Sequence, residues 1–172
     1  MTAPDSLQSR APVEVSVFRA AMARFPGAVT IVATGVGEGR RGITATAVCS
    51  VTADPPSLLA CLNRKTGTCA AVAENGRFTV NLLPGDGGPL ALIFAGATGA
   101  SGAGKFQSGD WIADVSGQPR LSDAIVTFSC DVSEQMLAGT HLIFIGQITA
   151  ITTTEGAPLV YEQSRFHRLE PV

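Results

Sequence analysis

The residues best suited to chemistry surround Thr66, where two hydroxyls and two cations fall within five positions. The run TGTCAAVAEN predicts a short helix with Thr66 or Thr68 as its cap. The first turn of a helix has N–H groups without intrahelical partners and carries the positive end of the helix dipole. Because Arg64 and Lys65 directly precede this turn, it is suited to bind a phosphate. Helix capping alone is the alternative interpretation.

A second candidate surface is the stretch GITATAVCSVTADPP, residues 42–56, which predicts a strand of small, hydroxylated and β-branched residues. The strand period of two divides its side chains between two faces: Thr44, Thr46 and Val48 on one, and Ile43, Ala45 and Ala47 on the other. A planar heterocycle could lie against such a strand and bond its hydroxyls and main-chain N–H groups. Tight packing against a helix explains the same composition, so both interpretations remain open.

The two histidines are candidates to bind a cosubstrate. His141 follows a Gly-Thr turn at the start of an apolar strand, where burial would favour a neutral imidazole. A single histidine is more often structural than functional. The motif RFH adds Arg165 and His167, and these could hold an anionic cosubstrate if both segments meet in the fold. The four cysteines show no CxxC spacing, so the sequence predicts buried thiols and no metal site.

The elements that must position these residues are mainly strands. A helix is predicted over residues 14–25, with one apolar face, ending at Pro26. That face is formed by Val15, Phe18, Met22 and Phe25. Strand-like runs alternate with two further short helices, and the glycine-rich segment 96–109 predicts a mobile loop. Antiparallel strands with helices set between them favour a closed or split β-barrel.

Length and composition limit the class of protein. A chain of 172 residues predicts a short flexible leader, 1–13, and one domain, 14–172. With 45% apolar and 15% charged residues, the surface is poor in charge, which predicts that a partner subunit covers part of it. The cations are scattered and the net charge is −2, so we expect neither nucleic acid nor a membrane as a partner. No apolar run reaches the roughly 18 residues of a membrane span.

Six segments, in order along the chain, carry a resemblance to a known family: FRAAMARFPGAVTIVAT, GITATAVCSVTADPPSLLACLNR, GRFTVNLL, KFQSGDW, AGTHLIFIGQI and PLVYEQSRFH. Together they resemble the flavin reductase-like family, the NAD(P)H:flavin oxidoreductases that supply reduced flavin to two-component monooxygenases. The segment TATAVCSVTADPPSLL is especially similar to the reductase component of hydroxyphenylacetate hydroxylases. The resemblance implies a homodimeric, cytoplasmic protein with an FMN-binding split β-barrel of Greek-key topology, mainly β with helices. It also implies FMN or FAD, NADH or NADPH as cosubstrate, and a flavin-dependent monooxygenase as partner.

The same resemblance implies roles for individual residues. Three groups would contact the flavin: Thr44, Ala45, Thr46, Ser50, Val51 and Thr52 along the ring and ribityl chain, Asn63, Arg64, Thr66 and Thr68 at the phosphate, and Lys105 and Phe106 from the glycine-rich loop. The catalytic position, His141, would meet the nicotinamide together with Arg165 and His167. One departure is Gly27, because many relatives have threonine after the proline.

Hydride transfer between two cofactors needs no protein nucleophile, in keeping with a sequence that shows no catalytic triad. Two alternatives remain open. One is an enzyme on the same barrel whose bound flavin reduces another acceptor, such as a corrinoid. The other is a flavin or haem carrier without enzymatic activity.

Overall fold

The computed structural model describes residues 11–170, so most of the predicted leader lies outside the described residues. The described helices are α1 (Val15–Met22), α2 (Gly67–Asn75) and α3 (Gly88–Ala95), with 3₁₀ helices at Gly37–Gly39 and Gly102–Gln107. The described strands are β1 (Gly27–Ala28), β2 (Thr30–Thr34), β3 (Arg41–Ala45), β4 (Val48–Ala53), β5 (Pro56–Asn63), β6 (Arg77–Leu82), β7 (Trp111–Ala113), β8 (Pro119–Leu121), β9 (Val126–Ala138), β10 (His141–Thr153), β11 (Leu159–Glu162) and β12 (Arg165–Arg168). The prediction of a mainly β chain with helices is confirmed.

A seven-stranded antiparallel sheet forms the centre of the fold, in the order β3-β2-β6-β9-β10-β5-β4. Its two edge strands are consecutive in the chain and are joined only by Thr46 and Ala47. In a flat sheet these edges would lie about 29 Å apart, whereas three Cα–Cα steps span at most about 11 Å. The sheet must therefore roll until its edges meet, as in the split barrel that the sequence predicted. A hydrogen bond of 2.9 Å from Cys61 N to Ala47 O ties the junction to β5.

The stretch 42–56 is not one strand, and this part of the prediction is wrong. β3 pairs with β2, as the predicted hairpin requires, but β4 pairs with β5 at the opposite edge. The break at Thr46 and Ala47 also shifts the alternation of side chains. Val48 consequently packs against the same core cluster as Ile43 and Ala45 instead of sharing a face with Thr44.

The core lies on both sides of β2, whose five residues are all buried. Val32 faces the barrel interior, where α2 contributes Cys69 and Val72. Ile31 and Ala33 face an outer layer that includes α3 and the 3₁₀ helix Gly102–Gln107. β3, the next strand, is thereby held between α2 and α3.

Helix α2 follows its sequence signals closely. The hydroxyl of Thr66 accepts a 3.2 Å hydrogen bond from Cys69 N, so Thr66 is the cap and Thr68 is not. Gly76 ends the helix with φ +64°, the left-handed conformation that glycine adopts without strain. The expected burial of the thiols holds for Cys69 and Cys130, but Cys49 is exposed because it lies on edge strand β4.

The glycine-rich segment 96–109 was predicted as a mobile loop; residues 96–101 form no helix or strand and are mostly exposed, whereas the second half of the segment is anchored. Its 3₁₀ helix buries Phe106, which is 5% exposed and lies 5.0 Å from Phe94 and 4.9 Å from Trp111, measured between ring centroids. Lys105 Nζ donates to the carbonyl oxygens of Gly42 and Phe94 at 3.3 and 2.8 Å. The sequence did not indicate this anchoring, because only one aromatic residue and one lysine anchor a run of residues that otherwise favour flexibility.

Helix α1 forms where it was predicted but ends at Met22, three residues before Phe25, and none of its residues is buried. Phe18 is 57% exposed, Met22 48% and Phe25 73%. A 2.7 Å hydrogen bond from Gln163 N to Ala23 O links the end of this helix to the β11–β12 turn. None of the helices within residues 11–170 has the length and apolar character needed to cross a bilayer.

The contact between α3 and β3 at Gly42 yields a test of the fold. A Cβ added to Gly42 would lie 2.6 Å from Phe94 Cε1 and 3.1 Å from Phe106 Cζ. Gly42→Ala is therefore expected to lower the free energy of unfolding by about 1–3 kcal/mol, measured by urea denaturation with Trp111 fluorescence. The control is Gly39→Ala in the same hairpin, where a Cβ would meet nothing within 4 Å. Equal stabilities for both variants would contradict close packing of α3 on β3.

Candidate functional site

Two adjoining hollows lie along β3, and Ala95 of α3 lines both. The first, which we term the ring hollow, has a volume of about 270 Å³ and is lined by Thr44, Ala45, Thr46, Ala91, Tyr161 and Phe166, among others. The second, the cationic hollow, has a volume of about 320 Å³ and is lined by Arg41, Thr66, Gly67, Thr68, Gly102 and Lys105, among others. The sequence-predicted groups at Thr44–Thr46 and at Thr66–Thr68 are thus brought to neighbouring sites.

The ring hollow is shaped by small residues and by hydroxyls with different tasks. Thr44 Oγ1 donates a 2.6 Å hydrogen bond to Ala91 O, so this hydroxyl anchors α3 to β3. Thr46 is exposed, and its Cβ would lie 2.9 Å from a Cβ added to Gly27. Glycine at position 27, the departure noted from the sequence, therefore lets the β3–β4 junction approach β1 closely.

An aromatic wall that sequence reasoning missed closes the other side of the ring hollow. Tyr161 on β11 and Phe166 on β12 are neighbours across the two strands, with ring centroids 5.3 Å apart. Strand alternation puts Phe166 on the face opposite to Arg165 and His167, the two residues chosen from the sequence for their chemistry. The alternation within RFHR was the signal that could have indicated Phe166.

The cationic hollow combines two cations with the first turn of α2. Lys105 reaches it from the 3₁₀ helix, and burial lowers the pKa of its ammonium group. Arg41, which the sequence analysis did not select, lies at its other side. Thr68 is 5% exposed, and its hydroxyl makes no hydrogen bond to any residue within 11–170. No carboxylate is among the residues that line this hollow, so the arrangement suits an anion.

Asn63 and Arg64 directly precede the first turn of α2, but neither side chain lines the cationic hollow. Asn63 Oδ1 accepts from Lys65 N at 3.0 Å, and Arg64 is exposed. The strand register places His141 directly opposite Asn63. His141 Nδ1 lies 2.9 Å from Thr140 Oγ1. The structure therefore brings His141 to the neighbourhood of the predicted phosphate residues.

Other predicted site residues lie apart from the two hollows in a single chain. Ser50, Val51 and Thr52 are exposed on edge strand β4 and line neither hollow. Arg165 and His167 lie on β12, in a sheet separate from the one that carries His141. His167 Nε2 lies 3.3 Å from Glu162 O. Among residues 11–170 no group of three or more potential metal ligands is found.

Comparison with known proteins gives consistent matches over nearly the whole chain. The model of the family described as flavin reductase like domain matches residues 22–170. FMN reductase (NADH) RutF of Stutzerimonas stutzeri strain A1501 is 40% identical over 163 residues, covering 94% of this chain and 92% of the relative. The 4-hydroxyphenylacetate 3-monooxygenase reductase component of Salmonella typhi is 40% identical over 156 residues, covering 89% and 92%. The solved structure of Streptomyces globisporus C-1027 NADH:FAD oxidoreductase SgcE6 matches with a TM-score of 0.84 at 26% identity, covering 100% of this chain and 96% of that chain.

The different tasks of the two hydroxyls in the ring hollow can be tested by isosteric substitution. Thr44→Val removes the donor to Ala91 O and is expected to lower the free energy of unfolding by about 1 kcal/mol. Thr46→Val removes an exposed hydroxyl that bonds no described residue, so a change below about 0.5 kcal/mol is expected. Both are measured by urea denaturation. A loss at Thr46 as large as that at Thr44 would contradict this assignment.

Proposed function

Because the chain belongs to the family of flavin reductase-like domains, as its sequence resemblance predicted, we propose that it is an NAD(P)H:flavin oxidoreductase. It transfers a hydride from NADH or NADPH to FMN or FAD and supplies the reduced flavin to a flavin-dependent monooxygenase. We place it in the cytoplasm, where reduced nicotinamides are available. The observation that carries this proposal is the pair of adjoining hollows along β3, one small-walled and aromatic, the other cationic.

The cationic hollow fits the phosphate end of a flavin nucleotide. Lys105 supplies a positive charge whose position is fixed by two carbonyl oxygens, and the Thr68 hydroxyl, which bonds no residue within 11–170, can donate to a phosphate oxygen. Thr66 contributes indirectly, because its hydroxyl caps α2 and so holds the free N–H groups of the first turn in place. Asn63 and Arg64 would bind at the outer rim of the same turn.

The ring hollow fits the isoalloxazine. The flavin would supply the chemistry, since its N5 atom is the hydride acceptor. The chain has to bind the flavin, orient it and exclude water from it. The backbone of Thr44–Thr46 and the small residue Ala91 leave space for a flat group, while Phe166 provides an aromatic wall. Phe106 does not line this hollow; its buried ring packs against Phe94, whose carbonyl oxygen accepts a hydrogen bond from Lys105 Nζ. Ser50, Val51 and Thr52 would continue the flavin surface along β4.

His141, with Arg165 and His167, remains our proposal for the nicotinamide site. In one chain these residues lie on separate sheets. We propose a homodimer, in which groups from both subunits can complete one site. The exposed apolar face of α1 supports it, because no residue within 11–170 buries the three large apolar side chains there, and only 15% of the residues of the chain are charged.

The activity is tested by adding FMN or FAD to the purified protein and following oxidation of NADH and NADPH at 340 nm. Turnover above the rate with free flavin alone is expected. Anaerobic bleaching of the flavin absorbance by NADH separates a reductase from a flavin carrier. Bleaching that goes to completion without turnover of free flavin would favour an enzyme with another acceptor. Absence of both effects would contradict the proposed function.

The nicotinamide role of His141 has a direct test. His141→Ala is expected to raise the KM for NADH roughly tenfold, the loss of one hydrogen bond, with an unchanged Kd for FMN. Because His141 lies opposite Asn63, the Kd for FMN is the decisive control. A selective loss of FMN binding would assign this histidine to the flavin phosphate instead. His167→Ala, measured in the same way, tests the other half of the proposed site.

The homodimer is tested by multi-angle light scattering. Phe18→Glu places a charge on the apolar face of α1 and is expected to convert a dimer into a monomer. Ala20→Glu is the matched control, since Ala20 is exposed on the opposite face of the helix. A monomeric wild-type protein, or a dimer that Phe18→Glu leaves intact, would contradict this interface.

A further inference from the structure

We propose that Arg41 binds the 5′-phosphate of the flavin and gives this protein a preference for FMN over riboflavin. The inference rests on the proposed function and adds to it a specificity-determining residue outside the motifs that indicated that function. It follows from where the Arg41 guanidinium lies, from what already binds it, and from the groups that face it across the cationic hollow.

Two glycines lie beside the Arg41 side chain and show its position. A Cβ added to Gly67, the first residue of α2, would lie 3.9 Å from Arg41 Cδ and 4.0 Å from Nε. A Cβ added to Gly102, at the start of the 3₁₀ helix, would lie 3.7 Å from Arg41 Nη1. The guanidinium therefore lies between the amino end of α2 and the segment that carries Lys105.

The guanidinium is held by main-chain groups and not by a carboxylate. Arg41 Nη1 donates to Glu38 O at 2.9 Å and to Arg40 O at 2.7 Å. The ion pairs found within residues 11–170 involve other side chains, namely Arg77 with Asp131 and His167 with Glu162. The positive charge of Arg41 is thus fixed in position without being neutralised, and its other N–H groups remain to bind a ligand.

The first turn of α2, which lines the same hollow as Arg41, presents hydrogen-bond donors. In the first turn of α2, Cys69 N is bound by the Thr66 cap and Ala70 N by Thr66 O. The N–H groups of Gly67 and Thr68 have no such partner among the described residues. The Thr68 side chain, 95% buried, adds a hydroxyl that is likewise without a partner in that part of the chain. With Lys105, the hollow presents two cations and three donors and no lining carboxylate.

A phosphate monoester matches this set better than other anions. It carries close to two negative charges near neutral pH and has three oxygens that accept hydrogen bonds in a tetrahedral arrangement. An arginine fork and helix N–H groups can bind it together. The adjoining ring hollow, which shares Ala95 with the cationic hollow, places a flavin ring where its ribityl chain would carry the phosphate toward Arg41.

The test compares FMN with riboflavin, which differ only in the phosphate. Arg41→Gln is expected to raise the Kd for FMN about 10- to 100-fold, the loss of one charged hydrogen-bonding partner, while leaving the Kd for riboflavin within about twofold. Both constants are obtained from quenching of flavin fluorescence. Arg40→Gln is the matched control, because the Arg40 guanidinium lies over the Phe106 ring and lines a different hollow. It should leave the ratio of the two constants unchanged.

Further measurements distinguish failure of the Arg41 assignment from failure of the proposed function. In the wild type, inorganic phosphate should compete with FMN and not with riboflavin, which provides a test even if Arg41→Gln fails to fold. An unchanged FMN-to-riboflavin ratio in Arg41→Gln, or a change confined to the KM for NADH or NADPH, would overturn the assignment. NADH oxidation by the wild type with added FMN tests the proposed function independently, so failure of one proposal does not imply failure of the other.

Discussion

The two-residue connection between β3 and β4 constrains the rest of the structure. Because Thr46 and Ala47 join strands at opposite edges of a seven-stranded sheet, the sheet can satisfy its hydrogen bonds only by rolling up. Rolling creates an enclosed interior that α2 fills from one side. It also leaves β2 buried on both faces, with α3 packed outside. The position of the apolar core therefore follows from the point at which the chain passes from one edge strand of the sheet to the other.

The same connection determines where a ligand can bind. At the junction the chain leaves β3, and both Thr46 and Ala47 are exposed. Thr44 fixes α3 against β3 just before this point, and Gly27 lets β1 approach it. Since α2 and α3 lie on either side of β3, one end of the strand faces an aromatic wall and the other faces a helix amino end and two cations. A long, flat ligand with an anionic tail suits this order of groups.

Polar residues around the site divide into those that hold the protein together and those left for a ligand. Thr44, Thr66 and the two carbonyl bonds of Lys105 belong to the first class. Thr68 belongs to the second, as does Arg41, whose charge pairs with no carboxylate among the described residues. A bound anion would accept hydrogen bonds that these groups do not make to any residue within 11–170. Hydride transfer between two bound rings then needs alignment and no reactive side chain.

Local signals in the sequence determined the helices, the strand hairpins, a threonine cap at Thr66 or Thr68 and the Gly76 terminus, because each depends on residues within one turn of one another. The ordered segments from Phe18 to His167 also determined the family, which the comparisons confirm. The sequence did not indicate the break at Thr46, the burial of Phe106, the aromatic wall at Phe166 or the position of Arg41. Each of these depends on which distant strands pair and which helix packs on them, for example Phe94 on Gly42. Side-chain alternation is local, whereas the face that becomes buried is decided only when the sheet closes.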